Sequence, residues 1–473
     1  IIEIKIEDVT ISGDGVGRFD DIAVFVPMCA VGDHILAKII KVKNNYLIGK
    51  IEKIIEASPD RIDCDCSVYY KCGGCAFRHI SYNAELQIKQ KHVKDCLERI
   101  GGFKEINVEK IFGASNTYSY RNKVQIPLGL NKEREIISGF YGLHSHNIMP
   151  CSRCLLHPEI FDDIIYHVKN WMKKYNILPY NESANSGIIR HIYFRCSSEC
   201  KDIMLCIVSA KKVLPFKSEL LNLLREKFKN IKSIILNYNP ENTNVVLGKT
   251  FETLWGEDTI VDTLCGMKFE ISPESFYQIN HNQTQLLYKL AKEMLNLTGN
   301  ENILDLYCGI GTIGLTMSNS AKTVVGAEII EKAVKNARRN SKLNDVKNSK
   351  FICADSAKAV KEFKKNKLDI VIVDPPRKGC SESVLEDLID NKEKPILDQI
   401  YDADNLQKLI QCFDVLTSKE KDILIKRYGL NSSKKMTQKE IAKEYHISRS
   451  YISRIEKRAL IKLLKCYLQE KEG

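Results

Sequence analysis

The residues with the clearest chemical character lie in the segment NILDLYCGIGTIG, residues 302–314. An apolar run ends there in Gly309, Gly311 and Gly314, and a helix is predicted from about Thr312. Their G-x-G-x-x-G spacing is typical of the strand–turn–helix junction that binds a nucleotide-type cofactor, because a side chain would block the ligand or the helix–strand contact. The same spacing occurs in ordinary glycine turns, so the residues that follow decide between the two interpretations.

Three acidic residues follow, each at the end of a predicted strand: Glu328, Asp355 and Asp374. The strands are predicted at residues 323–327, 350–353 and 368–373. Because parallel strands end at one edge of a sheet, Glu328 is placed to accept hydrogen bonds from a ribose diol, and Asp355 to meet an adenine edge. Glu328 suits S-adenosylmethionine (AdoMet) and NAD equally well. The sequence DPPR at residues 374–377 favours AdoMet, because it resembles a motif that AdoMet methyltransferases acting on nucleic-acid bases often carry and that a dinucleotide enzyme does not need. Its prolines are expected to stiffen that loop.

A second group of chemically active residues is the cysteine set Cys66, Cys72 and Cys75, which has the spacing C-x5-C-x2-C. Zinc would normally use a second C-x2-C or a histidine pair, whereas a fourth thiolate from a distant segment suits an iron–sulfur cluster equally well. Cys151 and Cys154 are the two candidates for that fourth ligand, and Cys64 lies outside the spacing. The remaining alternative is a set of buried thiols without a ligand.

Length and composition limit the classes of protein that fit. The chain has 473 residues, enough for several domains, and a net charge of +11 that fits an anionic partner. Its 17 cysteines, without a secretion signal, favour metal ligands or reduced thiols over disulfides. No apolar run approaches the ~20 residues that span a bilayer. We therefore expect a cytoplasmic protein without a membrane partner.

Residues 1–57 alternate apolar and polar side chains between turn signals, which predicts a small β-barrel. Short strands are predicted at residues 9–11, 22–26, 35–42 and 46–55, with a turn at 13–17. This region contains five lysines: Lys38, Lys41, Lys43, Lys50 and Lys53. Such a set is typical of either a solvated face or a nucleic-acid surface.

These features as a set resemble the RNA uracil-C5 methyltransferases of the 23S rRNA type, which carry a TRAM domain and a [4Fe–4S] cluster. The resemblance rests on the lysine-rich barrel, the C-x5-C-x2-C motif, the cysteine before Leu-Leu-His-Pro, and the segments YRNK (120–123) and GFY (139–141). It covers about residues 1–385. It implies AdoMet as the methyl donor and RNA as the partner, with rRNA or alternatively tRNA as the substrate.

The resemblance also implies roles for individual residues. Cys154 takes the position of the fourth cluster ligand, so the expected metal ligands are Cys66, Cys72, Cys75 and Cys154. Gln278 stands in the family's F-x-Q-x-N motif, and Tyr307 matches another family contact to AdoMet. The full expected cofactor set is Gln278, Tyr307, Gly309, Gly311, Glu328, Asp355 and Asp374.

The predicted architecture is therefore multidomain. A TRAM- or OB-like barrel (1–57) is followed by iron–sulfur segments (58–100 and 145–160), a central α+β RNA-binding domain (101–265), an incomplete Rossmann-like α/β AdoMet domain (266–385) and an all-α domain (386–473). In the central domain, helices are predicted at 161–174 and 215–228, and strands at 188–194, 203–208 and 231–238. Four of its cations could contact phosphate or be ordinary paired charges: Arg121, Lys123, Arg190 and Arg195.

The catalytic groups of the resembled family are missing. Uracil C5 is a poor nucleophile, so the family adds a cysteine thiolate to C6 and later uses a base to remove the C5 proton. Its Ser-Cys-Asn/Asp-Pro motif does not occur here, and Cys308, Cys380 and Cys412 lack that context. No catalytic residue is therefore assigned, and weakened catalysis is expected. The strand at 368–373 would also become an apolar sheet edge.

The C-terminal residues predict a helix-turn-helix. Helices are predicted at 405–416 and 418–428, and Thr437 and Ser448 are expected to cap the two helices that follow. His446 stands where glycine is usual, and histidine tolerates a left-handed conformation better than most residues. The outer side of the last helix carries candidate phosphate and base contacts: Arg449, Ser450, Tyr451, Ser453, Arg454 and Lys457.

Residues 388–470 closely resemble region 4 of bacterial sigma factors, which implies promoter DNA and RNA polymerase as partners. A DNA-binding transcription factor is therefore the alternative to the enzyme, and a dinucleotide oxidoreductase is disfavoured by DPPR. The two resemblances meet near residues 383–390, inside a domain in each case. A gene fusion, a frameshift or an assembly junction fits this arrangement at least as well as a bifunctional protein.

Overall fold

The structure is a computed structural model that describes residues 1–143, 145–363, 368–389, 413–429 and 436–471. The chain divides into two compact units, Ile1–Ala359 with Lys367–Pro375, and Val360–Asn366 with Pro376–Gly473. Among the described residues, no helix is both long and apolar enough to cross a membrane.

The first unit begins with a closed five-stranded barrel of order β1-β2-β3-β5-β4, as the sequence predicts. Its strands are β1 (Ile2–Val9), β2 (Asp14–Phe19), β3 (Ile22–Pro27), β4 (His34–Val42) and β5 (Tyr46–Glu56). Buried aliphatic side chains such as Ile6, Val26 and Ile35 fill the barrel. The five lysines named above are all exposed on it.

Two details of the barrel prediction were wrong. The first strand ends at Val9, so residues 10–11 lie outside it, and most of the predicted turn at 13–17 belongs to β2. A Cβ at Gly17 would lie 2.6 Å from the carbonyl oxygen of Lys5 in the neighbouring strand. Gly17 therefore permits close strand pairing, which the sequence pattern could not distinguish from turn formation.

The central part of the first unit is a seven-stranded sheet of order β12-β11-β10-β9-β6-β7-β8. The elements are α1 (Tyr82–Asp95), β6 (Lys123–Leu130), β7 (Ile136–Tyr141), β8 (Ile148–Pro150), α2 (Glu159–Lys174), β9 (Ile189–Cys196), β10 (Ile203–Ser209), α3 (Lys217–Lys227), β11 (Ile231–Tyr238) and β12 (Thr250–Gly256). The apolar face of α2, including Phe161, Ile164 and Val168, packs in the main core with the sheet. Both predicted helices and all three predicted strands are confirmed within two residues.

A hairpin, β13 (Ile260–Leu264) with β14 (Met267–Ile271), precedes a four-stranded parallel sheet of order β17-β16-β15-β18. The remaining elements are α4 (His281–Leu295), β15 (Asn302–Leu306), α5 (Thr312–Met317), β16 (Thr323–Glu328), α6 (Glu331–Leu343), β17 (Ser349–Cys353), α7 (Ser356–Phe363) and β18 (Ile370–Val373). Among the described strands, β18 pairs only with β15, which agrees with the predicted sheet edge.

The second unit contains α8 (Glu382–Ile389), α9 (Ser418–Tyr428), α10 (Gln438–Glu444) and α11 (Arg449–Lys471). Thr417 and Thr437 form capping boxes at the starts of α9 and α10, and Gly429 ends α9 in the left-handed region. His446 has φ of 53° in the turn between α10 and α11, as the sequence predicts. A core of Ile423, Ile441, Ala442, Ile452 and Ile455 joins the three helices. The helix predicted at 405–416 lies largely outside the described residues, and Phe413–Val415 is a 3₁₀ turn.

Candidate functional site

The glycine turn follows β15 at the carboxyl edge of the parallel sheet. Tyr307, Gly309 and Gly311 have positive φ values of 60°, 56° and 83°. A Cβ at Gly309 would meet no atom within 4 Å, so a ligand can approach this backbone. A Cβ at Gly314 would lie 2.9 Å from the Asp305 carboxylate of β15, so this glycine serves the helix–strand contact.

Two of the predicted acids meet beside this turn. The Glu328 carboxylate accepts hydrogen bonds from the N–H groups of Gly309 (3.2 Å) and Ile330 (2.9 Å). The Ala354 N–H donates to the carbonyl oxygen of Glu328 (3.0 Å), which places Asp355 at the adjacent strand end. The Asp355 carboxylate also accepts an N–H from the first turn of α7 (3.0 Å), so part of its hydrogen-bonding capacity caps that helix.

A buried acid beneath the turn was missed by sequence reasoning. Asp305 is 1% exposed; its Oδ2 accepts the Gly314 N–H (2.9 Å), and its Oδ1 has no hydrogen-bond partner among the described residues. Burial raises the pKa of Asp305 to about 7, the Gly314 N–H opposes this shift, and the carboxylates of Asp374 and Glu328 add to it. Four carboxyl groups, including Asp355, therefore gather at one sheet edge. The only sequence signal was an acid inside the apolar strand NILDL.

The Gln278 loop, residues 272–280 between β14 and α4, lies beside the glycine turn. Asn122 Nδ2 donates to the Gln278 carbonyl oxygen (2.9 Å), and Lys332 of α6 pairs with Glu274 of the loop (3.1 Å). Asn340 of α6 donates to a carbonyl of the glycine turn (3.0 Å). α6, which follows Glu328, therefore contacts both the Gln278 loop and the glycine turn.

Two exposed isoleucines next to Glu328 were also missed. Ile329 and Ile330 are 68% and 59% exposed, which is unusual for large aliphatic side chains directly after a buried strand. The signal available in the sequence was a pair of isoleucines following the strand-end acid. They form an apolar surface beside the carboxylate.

Of the three cysteines that the sequence analysis considered, none is shown by the described residues to take the place of the missing nucleophile. Cys308 is 7% exposed within the glycine turn, and burial raises the pKa of its thiol, so it is not available for attack. Cys380 is partly exposed, and Cys412 lies outside the described residues. Neither has the sequence context that the resembled family uses.

The predicted cluster cysteines lie around one cavity of about 240 Å³. Segments that are distant in sequence form its walls, residues 66–75 and 151–157 together with residues 121–125 and Phe140. The cavity contains the thiols of the expected ligands and one more: Cys66, Cys72, Cys75, Cys151 and Cys154. The fold thus brings the distant cysteine pair to the C-x5-C-x2-C motif.

Zinc and an iron–sulfur cluster place different demands on such a set of thiols. No three histidine, cysteine or acidic side chains of the described residues come close enough together to hold a single metal ion. The ligands of a [4Fe–4S] cluster each bind a different iron and therefore surround a larger group. A four-thiol donor set around one cavity is chemically compatible with such a cluster.

His157 stabilises the segment that carries Cys154. It is 1% exposed and pairs with Asp162 (2.9 Å). Burial alone would lower the pKa of His157, but hydrogen bonds with Asp162 and Cys154 raise it to about 9. His157, the histidine of the Leu-Leu-His-Pro segment, therefore supports Cys154 through a hydrogen bond.

Two of the four cations considered for phosphate contact are internal. Arg190 and Arg195 are 3% and 2% exposed, and both donate to protein oxygens, such as the Asn239 carbonyl (3.2 Å) and the Tyr193 hydroxyl (2.6 Å). Their burial and these hydrogen bonds favour the interpretation of both as internal paired groups. Arg121 and Lys123 line the cysteine cavity.

The six residues predicted to contact DNA all lie exposed on the N-terminal half of α11, whereas Ile452 and Ile455 between them are buried. Arg449 is paired with Glu386 of α8 in the same unit. The arrangement matches a recognition helix whose polar side is presented to solvent.

Three family models match the chain: the TRAM domain at residues 1–51, the methyltransferase small domain at 279–396, and Sigma-70, region 4 at 412–465. An RNA methyltransferase of Halalkalibacterium halodurans is 40% identical over 394 residues, which cover 83% of this chain and 86% of that protein. One of Clostridium tetani is 43% identical over 376 residues, 79% of this chain and 81% of that protein.

The Pyrococcus abyssi tRNA (uracil-54, C5)-methyltransferase, solved in complex with S-adenosyl-L-homocysteine, is similar in fold. It is 24% identical, with a TM-score of 0.65 over 82% of this chain and 87% of that one. The predicted sequence resemblance and the predicted multidomain fold are confirmed. On the identity and coverage of its relatives, the chain belongs to this family of RNA methyltransferases.

Proposed function

We propose that the first unit binds AdoMet at the carboxyl edge of the parallel sheet and acts on C5 of uridines in RNA, with 23S-type rRNA as the substrate and tRNA as the alternative. The main support for this cofactor site is that the strands of the parallel sheet bring their carboxyl ends, with the acidic residues, to one edge. Glu328 would accept the ribose hydroxyls, and Ile329 and Ile330 would contact the adenine face. AdoMet would supply an electrophilic methyl group, and Gln278, Tyr307 and Asp374 would orient it.

RNA binding is supported by a second cavity of about 480 Å³ beside the cysteine segment. Its lining combines cations and aromatic rings, Arg78, Lys89, Tyr118, Tyr120 and Arg121, with Asn280 next to the Gln278 loop. Tyrosine rings and guanidinium planes stack on unpaired bases, and cations pair with phosphates. Arg78 and Lys89 are paired here with Asp65 (2.6 Å) and Glu85 (2.5 Å) of the same lining, so a phosphate would have to replace those carboxylates. The exposed lysines of the barrel extend the same positive character.

We propose that activation of the uracil, which accepts the methyl group, is slow in this chain. The thiolate that would add to C6 and the base that would remove the C5 proton have no counterpart in the sequence, and Cys308 is buried. We therefore expect the chain to bind AdoMet and RNA but to transfer methyl groups slowly or not at all.

The test measures AdoMet affinity by calorimetry and transfer of radiolabelled methyl groups into a uridine-containing RNA. Glu328→Ala is expected to weaken AdoMet binding roughly tenfold, the usual effect of losing a hydrogen bond to a charged group. Glu293→Ala, which removes an exposed acid from α4, is the matched control. Rapid methylation of uridine would contradict the loss of the nucleophile, and unchanged affinity in Glu328→Ala would contradict the cofactor site.

We also propose that Cys66, Cys72, Cys75 and Cys154 hold a [4Fe–4S] cluster. The shared cavity and the four-thiol donor set support this. The cluster would fix residues 66–75 against residues 151–157 and so shape the RNA-facing cavity.

Promoter recognition by the second unit is a separate candidate function, favoured by the match to Sigma-70, region 4 and by the exposed polar side of α11. In this proposal α11 enters the major groove of promoter DNA, and the unit also contacts RNA polymerase. Binding of a labelled −35-type duplex, compared with a scrambled duplex, tests it. Equal affinity for both duplexes would contradict sequence-specific recognition.

A further inference from the structure

Two cysteines outside the cluster cavity are in direct contact. Cys196 is the last residue of β9 and is 4% exposed, and Cys200 ends the 3₁₀ turn Ser198–Cys200 and is partly exposed. Their Sγ atoms share a hydrogen bond at 2.9 Å. The described fold therefore holds two free thiols against one another.

The turn is pre-arranged for this contact. Glu199 and Cys200 both have left-handed backbone conformations, with φ of 56° and 52°, which fold Cys200 back onto the end of β9. The Cys200 N–H donates to the Ser197 carbonyl (2.9 Å), and Asn230 Nδ2 donates to the Cys200 carbonyl (3.0 Å). Local hydrogen bonds thus maintain the arrangement while both thiols are reduced.

We propose that Cys196 and Cys200 are a redox modification site that closes to an intramolecular disulfide and thereby weakens AdoMet binding. The oxidant is a low-molecular-weight disulfide. The Cys200 thiolate attacks one of its sulfurs and releases one thiolate, and the Cys196 sulfur then attacks Cys200 and releases the second. The two thiol protons pass to the released thiolates, so one disulfide is reduced as one forms.

The positions of the two sulfurs assign their roles. Cys200 is the more exposed of the two residues and is assigned as the attacking thiol, whereas the buried Cys196 resolves the mixed disulfide. The hydrogen bond between them lowers the pKa of Cys200 and, together with burial, raises that of Cys196. Thiolate character at the more exposed sulfur favours the first step.

Two hydrogen-bonded routes connect this turn to the Gln278 loop. On one side, the Cys196 N–H donates to the Asn122 carbonyl (2.9 Å), and Asn122 donates to the Gln278 carbonyl (2.9 Å). Asn122 thus connects the end of β9 to the backbone of Gln278, the residue expected to contact AdoMet.

On the other side, the Ser198 N–H donates to the buried Asp262 carboxylate (2.8 Å). Asp262 accepts the Tyr277 hydroxyl (2.9 Å) and pairs with His281 (3.0 Å), the two residues that flank Gln278–Asn280. A covalent S–S bond of ~2.0 Å is shorter than the present contact, so its formation draws the turn toward the end of β9, and one route starts from each of these two segments. The effect on the cofactor rests on the proposed AdoMet site, whereas formation of the disulfide does not.

The test treats the whole protein with reduced or oxidised glutathione, blocks free thiols in denaturant, and digests with trypsin. Cleavage after Arg195 and Lys201 gives the peptide CSSECK, residues 196–201, which holds both cysteines and no other. The oxidised sample is expected to give this peptide unlabelled and lighter by two hydrogen atoms than the dithiol. AdoMet affinity is expected to fall roughly fivefold or more on oxidation, the usual lower limit for coupled sites.

Cys200→Ser should abolish the response, and Cys96→Ser, at an exposed cysteine elsewhere, should keep it. A fully labelled peptide after oxidation would overturn the disulfide. A disulfide that leaves AdoMet affinity unchanged, or an affinity loss that persists in Cys200→Ser, would overturn the coupling. Failure of the reduced protein to bind AdoMet would overturn the proposed cofactor site, while the peptide would still decide the disulfide.

Discussion

Asp305 shows how one side chain acquires its properties from the fold. In an unfolded chain an aspartate titrates near pH 3.9. Burial in β15, with Asp374 and Glu328 nearby, raises the pKa to about 7 in the folded state. The carboxyl group therefore becomes a neutral or charged neighbour of the cofactor turn according to pH.

The raised pKa predicts a pH-dependent free energy of unfolding. The folded state binds the Asp305 proton more tightly, so this group stabilises the fold fully below about pH 4, and that contribution is lost as pH rises through about 7. Asp305→Asn keeps an acceptor for the Gly314 N–H and removes the ionisation. Urea unfolding measures the free energy of unfolding at pH 5 and at pH 8. The decrease between these two pH values should be smaller in Asp305→Asn than in the unsubstituted protein, by on the order of 3 kcal/mol. An equal pH dependence in both proteins would contradict the raised pKa.

The recognition helix gives a second residue-scale prediction. Arg449→Ala and Arg454→Ala should each weaken binding to a −35-type duplex roughly tenfold, because each removes a cation from the outer side of α11. Fluorescence anisotropy with labelled DNA at constant salt measures the change. Lys439→Ala, an exposed cation on α10, is the charge-matched control and should have a smaller effect. Unchanged binding in the double arginine variant would contradict the assignment of α11.

At the scale of elements, the cysteine cavity depends on two segments that are distant in sequence. Residues 66–75 supply three of the expected ligands, and the segment before α2 supplies Cys151 and Cys154. Arg78 pairs with Asp65 (2.6 Å) and His157 with Asp162 (2.9 Å), which stabilises each segment separately. A bound cluster would add a covalent connection between them.

Replacing single cysteines tests this arrangement. Cys72→Ser should lose most iron, acid-labile sulfide and the visible absorbance, because a cluster with three thiolates is poorly retained. Cys64→Ser, a neighbour outside the ligand spacing, is the control and should keep them. Cys151→Ser and Cys154→Ser distinguish the two candidates for the fourth ligand, and loss of iron is expected in Cys154→Ser. Retention of full iron in Cys72→Ser would contradict the cluster.

At the scale of the whole molecule, the chain combines an RNA methyltransferase with a region 4-type domain in separate compact units. A single polypeptide must yield the tryptic peptide GCSESVLEDLIDNK, residues 379–392, in digests of the native protein. Mass spectrometry of the endogenous protein detects it. Peptides from both sides of this segment without the peptide itself would show two separate products and would confine each proposed function to its own chain.

Much of the fold could be predicted because it depends on residues that are close in sequence. The cap at Thr437, the helical periodicity of α2, and the glycine turn after β15 all depend on residues within a few turns of chain. The cap at Thr417 is equally local, although it was not predicted. The wrong turn prediction at residues 13–17 also came from using only nearby residues. Gly17 indicates a turn unless its close contact with the neighbouring strand is known.

What the sequence by itself determined is the set of local elements, the family, the cysteine spacing and the missing nucleophile motif. Only the tertiary structure decided which distant groups meet. It places Cys154 and Cys66 around one cavity and buries Asp305 near Glu328. It also buries Arg195 and connects the Cys196–Cys200 turn to the Gln278 loop through hydrogen bonds. The reason is physical: contacts between residues far apart in the chain depend on how whole sheets and loops pack, and no short pattern records that packing.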